Sequence, residues 1–151
     1  MKIAKTENIL FNPLFTARLI SMALSGANNN EIKTELIYYI LPLVYNNTIK
    51  DRLSKCNTRS TFNTFFDAEV RRELITIESL LANYKEKTKE ALITISNLYT
   101  INISTHISLK IEQKTHYSEE NNPELKKYYK AAFNLGSIFS KEDHKTIFLN
   151  L

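Results

Sequence analysis

The sequence predicts a mainly α-helical, winged-helix-like fold: a helical N-terminal part, a helix-turn-helix followed by a β-hairpin wing, and a C-terminal helix. Three observations predict it. Two glycines and three prolines in 151 residues are too few for the tight turns of a sandwich or barrel. Apolar residues recur at helical spacing along most of the chain. Between Tyr99 and Ile111 the period changes from 3.6 to 2, and it then reverts. The length fits one domain, 1–151, divided at about 12–66 (helical part), 67–114 (winged-helix-like core) and 123–140 (last helix).

Met1 to Leu10 reads as an arm or short strand. Asn12-Pro13 opens the first helix, Asn capping free amides and Pro preorganising the first turn. Phe15, Leu19, Met22 and Ala23 share a face, and Gly26 closes the helix as a residue free to take positive φ. After the Asn28-Asn29-Asn30 break, Ile32, Leu36, Ile37, Tyr39, Ile40 and Leu41 are apolar nearly all round, which makes the second helix central; Pro42 ends or kinks it. Thr48 with Asp51 forms a weak capping box for a short helix through Leu53, and Ser60 caps the aromatic segment Phe62, Phe65, Phe66.

Val70, Leu74, Ile77 and Leu81 define a helix over about Asp67 to Asn83. Lys85-Glu86-Lys87 is then a charged turn, and Thr88 caps a second helix that buries Ala91, Leu92, Ile95 and Leu98, a helix-turn-helix candidate. Tyr99, Ile101, Ile103 and Ile107, Leu109, Ile111 alternate as two strands around Ser104-Thr105-His106. Pro123 opens the last helix, with Leu125, Tyr128, Tyr129, Ala132, Gly136 and Phe139 on one face; Gly136 either ends it or admits a neighbouring backbone. Thr146 to Leu149 is apolar enough to dock.

The single Cys56 can form no internal disulfide, which points to a reducing, cytoplasmic setting. Neither apolar stretch is a membrane or export segment: Asn12-Pro13 and Arg18 interrupt the first, and Leu36 to Val44 is about half a bilayer span. A net charge of +4 permits contact with nucleic acid or an acidic protein without demanding either.

No catalytic signal emerges, no cofactor or metal is called for, and the chain is expected not to be an enzyme. Glu112-Gln113-Lys114 has the E-x-K spacing of metal-dependent nucleases, but Tyr99 to Ser104 offers no acidic ligand on the partner strand. His106, His116 and His144 lack metal-ligand spacing, Cys56 has no base beside it in sequence, and no glycine-rich phosphate loop exists. The binding candidates are Lys89, Ile93, Thr94 and Asn97, facing outward on the helix before the hairpin, and the basic stripe Lys126, Lys127, Lys130 on the last helix. One Lys, one Asn and an exposed Ile are a poor set for reading bases. Plain scaffold, protein docking and DNA contact all remain open for that helix. A solvated face, an acidic partner and the DNA backbone remain open for the stripe.

Several segments resemble one family by their order and spacing: Asn12-Pro13-Leu14, Ile40-Leu41-Pro42-Leu43-Val44, Thr88-Lys89-Glu90-Ala91-Leu92 and Ala131 to Phe139. Together they resemble the middle component of three-component ABC ATPase (ABC-3C) systems, bacterial conflict modules that include relatives of the Lamassu type. The resemblance departs at the end, where the family usually continues into a glycine-containing tail after a segment like Thr146 to Leu151. It implies a non-catalytic bridging subunit between an SMC- or Rad50-like ATPase and an effector, often a nuclease, in anti-phage or anti-plasmid defence, with DNA sensed by the complex. The rival reading from the residues is a winged-helix transcriptional regulator.

Overall fold

The computed structural model describes residues 12–57, 59–79 and 81–141. The N-terminal arm, the docking tail Thr146–Leu149 and His144 lie outside the described residues. The rest is mainly helical with one small antiparallel sheet of three strands.

Helix α1, Pro13–Gly26, starts as its sequence dictates: Asn12 Oδ1 accepts from the Leu14 amide at 2.8 Å and Pro13 occupies the first turn. It is far more enclosed than one apolar face requires. Every residue from Phe15 to Ser25 is buried except Arg18. The buried hydroxyls of Ser21 and Ser25 donate to carbonyls one turn back, Arg18 and Ser21, at 2.9 Å each, so neither is left unsatisfied.

Gly26 corrects the reading of a positive-φ stop. It ends α1 in helical conformation, Ala27 caps, and the left-handed residues are Asn29 (φ 59°) and Asn30 (φ 54°), as asparagine tolerates. Ile32, read as the start of the second helix, instead lies in strand β1, Glu31–Lys33, paired to the hairpin opposite Ile107. Helix α2 runs Thr34–Tyr45, with Thr34 pinned to the hairpin turn by Oγ1 donating to the Ser104 carbonyl (2.8 Å) and N donating to that of Thr105 (3.0 Å). It passes through the buried Pro42 and ends three residues later at Tyr45.

Helix α3, Asn47–Ser54, is capped by Asn46, whose side chain accepts from the Ile49 amide at 3.0 Å; Thr48 lies inside it, so the expected Thr48–Asp51 box does not form. The short α4, Phe62–Phe65, is opened by Thr61 and Thr64, whose hydroxyls accept from each other's amides, while Ser60 accepts from Asn57. Asp67 caps α5, Ala68–Glu78, and Arg52 of α3 grips the same carboxylate at 2.5 Å. That guanidinium, helped by the Val70 amide, pulls the Asp67 carboxyl down to about 2.

The expected helix-turn-helix does not form as read: α5 ends at Glu78, and α6 runs unbroken from Leu81 to Leu98 through Lys85-Glu86-Lys87. Those three are good helix formers, and i,i+3 pairs Lys89–Glu86 (3.6 Å) and Lys87–Glu90 (3.7 Å) span the supposed turn. Thr88 caps nothing. It is buried, and its hydroxyl donates to the Tyr84 carbonyl one turn back at 3.0 Å. Helix α5 lies against α3, whereas α6 lies against α1 and α2.

The hairpin forms with a two-residue connection: β2, Ile101–Ile103, and β3, His106–Leu109, pair 101 with 109 and 103 with 107 around Ser104-Thr105. Sheet order is β1-β3-β2. The last helix, α7, Pro123–Lys141, has Asn122 Oδ1 accepting from the Glu124 and Leu125 amides. Its C-terminal half is buried continuously from Ala131 to Phe139. There Asn134 Nδ2 donates to the Leu53 carbonyl (2.8 Å) and the Cys56 carbonyl (3.2 Å), closing the orphan end of α3.

Gly136 takes the second of its two sequence options. A Cβ there would collide with the Ala23 carbonyl, and one at Gly26 with that of Phe133. Helices α1 and α7 therefore touch backbone to backbone. Around them one core draws on Leu19, Ile20, Leu36, Leu41, Phe66, Ile95, Ile107 and Phe139, all at most 2% exposed.

Leu41 is fully buried in this core, so Leu41→Ala should lower unfolding stability by about 2 to 5 kcal/mol. Urea denaturation checks this; a variant with an unchanged midpoint would place Leu41 outside the core.

Candidate docking surface

The residues singled out on α6 share its outer side. Lys89 and Asn97 are exposed, Ile93 is 64% exposed, and Thr94 is half-buried with its hydroxyl donating to the Glu90 carbonyl at 2.9 Å. Lys89 is not a free cation, because Glu86 sits beside it, just as Glu90 sits beside Lys87. Such pairs add only about 0.2 to 0.5 kcal/mol to a helix. Their larger consequence is electrostatic: the two pairs offset each other within a Debye length of about 10 Å and leave Lys85 as the excess cation of the stretch, so the face projects little field toward a phosphate backbone. An uncovered Ile at its centre favours an apolar contact.

The basic stripe on α7 is partly occupied by the fold. Lys127 forms an ion pair with Asp51 of α3. Lys130 lies with Nζ 5.6 Å from the centre of the Tyr117 ring, and Lys126 is half-buried. From the other side Lys50 of α3 stacks over Tyr128 at 3.9 Å. The stripe thus ties α7 to its neighbours as well as facing outward. Hydrogen bonding from Lys127, aided by its charge, holds the Asp51 carboxyl below the usual aspartate value.

The residues weighed for catalysis are scattered. The strand ends at Leu109, two residues short of Ile111, so Glu112 and Lys114 lie exposed beyond it, on a short 3₁₀ turn (Ile111–Gln113) and the loop after it. Gln113, between them, accepts from the Thr100 amide at 2.7 Å, closing the base of the hairpin. His106 meets the Thr105 hydroxyl at 3.2 Å, while His116 accepts from the Ser118 amide and packs on Tyr117 and Phe133. The half-buried Cys56 donates to the Arg52 carbonyl. Among the described residues no three His, Cys, Asp or Glu side chains gather where they could hold a metal ion, and no described helix is long and apolar enough to cross a membrane.

Sequence reasoning missed a groove of about 690 Å³ where α1, the end of α6 and the start of α7 meet. Leu14 and Phe15, Leu98 and Tyr99, and Leu125 and Tyr129 line it together with Arg18. Arg18 is exposed beside the buried Tyr129, whose proximity and that of Glu120 favour the charged guanidinium. Beyond Arg18 a smaller polar cavity of about 210 Å³ continues past Ser21, Thr115, His116, Glu119 and Glu120. Two signals were present in the sequence: Arg18 breaks an apolar helix one turn after Leu14, and Leu125 precedes Tyr129 by the same step.

The described residues form a helical body that leaves several large apolar side chains uncovered. The family model for Middle Component 3 of ABC-three component systems matches the chain over residues 1–151. The chain belongs to that family. No curated protein and no solved structure matches it. A middle component implies partner components, which gives the exposed Ile93 and the Leu14–Leu98 groove a context.

The Lys127–Asp51 pair can be checked in solution. By carboxyl NMR, Asp51 should titrate below the ordinary aspartate range, and Lys127→Gln should move its midpoint up. Since the folded value is the depressed one, the pair's stabilisation is present at neutral pH and disappears as pH falls through that value. An unmoved midpoint would mean that Lys127 leaves Asp51 alone.

Proposed function

We propose that this middle component is a non-catalytic accessory subunit of an SMC- or Rad50-like ABC ATPase complex. It bridges the ATPase and an effector, such as a nuclease, in cytoplasmic anti-phage or anti-plasmid defence of the Lamassu kind. Family membership supplies the setting of partner components. The observation that carries the docking role is the outer face of α6, where Ile93 stays 64% exposed amid mutually neutralised charges. Contiguous uncovered apolar surface marks sites of association, and Ile93 would form the apolar centre of such a contact.

A second reading, a DNA-binding winged-helix regulator, draws on the sheet. Helix α6 leads into the hairpin, and β1, from between α1 and α2, adds to its second strand. In that reading the order is a winged-helix-like one with helices inserted ahead of α6. In that reading Lys89, Thr94 and Asn97 would face a groove of DNA and Lys126, Lys127 and Lys130 its backbone. The paired charges on α6 favour the subunit reading. Within an assembled complex, DNA contact by the lysines remains compatible with it.

Co-expression with the neighbouring ATPase and effector genes, followed by purification through this chain, tests the proposal. The wild type should bring down its partners, and Ile93→Glu should weaken the complex while keeping the melting temperature. The isolated chain should bind DNA only weakly and without sequence preference, at roughly 10⁻⁴ to 10⁻⁶ M. Nanomolar, sequence-selective binding by the isolated chain, with no partner retained, would establish the regulator instead.

A further inference from the structure

The groove at the α1–α6–α7 junction supports a more specific statement, which rests on the subunit reading above. Its rims are two large apolar side chains that remain more than half exposed, Leu14 at 57% and Leu98 at 52%. Between them Phe15, Tyr99, Leu125 and Tyr129 form an apolar trough. Arg18 is the one charged side chain among the described residues lining that trough, and its acidic neighbour Glu120 lines the adjoining polar cavity.

These features narrow the occupant. An open apolar trough between helices accepts the apolar face of another helix, whose side chains at i, i+3, i+4 and i+7 fill it. A guanidinium in its lining calls for a carboxylate, because a fork of N–H donors is best satisfied by two acceptor oxygens. A basic or purely apolar segment would strip water from Arg18 without adding an acceptor, which penalises it.

We propose that this groove binds a helix of a partner component of the same system, one that lays leucine-sized side chains between Leu14 and Leu98 and points a carboxylate at Arg18. The contact lies apart from the Ile93 surface in composition, as it pairs apolar burial with one buried charge pair. Loss of such a pair by removal of one partner costs far more than loss of a rim charge.

The test uses the full chain co-expressed with the ATPase and effector components encoded beside it. A photo-cross-linking residue, p-benzoylphenylalanine, replaces Leu98, and the cross-linked peptide is identified by mass spectrometry. The expected product joins position 98 to a helical partner segment with an acidic residue among apolar ones. Arg18→Glu and, separately, Leu98→Glu should each lower the co-purified partner by about tenfold or more, with the melting temperature of the chain retained. Changing the partner's carboxylate to Lys should restore binding to Arg18→Glu. Cross-links that stay within this chain or join two copies of it would assign the groove to another occupant and overturn the proposal. So would undiminished co-purification of both variants, which would leave the subunit reading standing. If the wild type retains no partner at all, the subunit reading fails and takes this inference with it.

Discussion

The arrangement depends on one contact, the backbone approach of α1 to α7. Gly26 faces the Phe133 carbonyl and Gly136 faces that of Ala23, with no room at either point for a methyl group. These are the two glycines of the whole sequence, and neither is used for a positive-φ turn. The same helix pair also meets at its other end, where Phe15 packs on Tyr128 and Tyr129 at ring distances of 5.8 and 5.7 Å. Much else follows. With α7 held this close, Asn134 reaches the end of α3, Lys127 reaches Asp51, and Tyr129 joins Arg18 in lining the groove.

The surface is shaped by what the core leaves over. Helix α6 buries Thr88, Ala91 and Ile95 and turns Lys89, Ile93 and Asn97 outward, so its charges lie where they can cancel one another. A helix built to hold phosphate would leave its cations unpaired. The lysines of α7 are drawn toward α3 and Tyr117, which ties part of the charge available for an acidic partner to the fold. Among the described residues five large apolar side chains also stay exposed: Ile93 on α6, Leu14 and Leu98 at the groove, Ile75 on α5 and Ile103 on β2. A middle component, which implies partner components, has a use for such surfaces.

Much of this was legible in the sequence where local chemistry decides the outcome. Asn12-Pro13, Asp67 and Pro123 begin helices because capping and proline geometry are local, and the period-2 stretch forms its hairpin. The readings that failed were ones in which a tertiary partner overrides local preference. Ile32 continues a helical pattern in the sequence, yet its amides are claimed by β3. Thr88 looks like a cap but is buried beside Tyr84, where its hydroxyl finds a carbonyl one turn back. Gly26 looks like a stop signal, although its role depends on Phe133, more than a hundred residues away. The groove escaped for the same reason. Leu14, Leu98 and Leu125 are unremarkable one by one, and only the α1–α7 contact brings them around Arg18.

The most direct test of this account is the unfolding free energy of Gly136→Ala, because local and tertiary arguments predict opposite signs. In the interior of a helix, alanine is favoured over glycine by about 0.5 to 1 kcal/mol, so propensity alone would stabilise the protein. The contact with the Ala23 carbonyl leaves no space for the methyl group, and forcing α1 from α7 should cost about 1 to 3 kcal/mol or more. The account predicts a clear loss of stability in urea or thermal unfolding. A variant as stable as the wild type, or more stable, would show that α1 and α7 do not meet backbone to backbone and would contradict it.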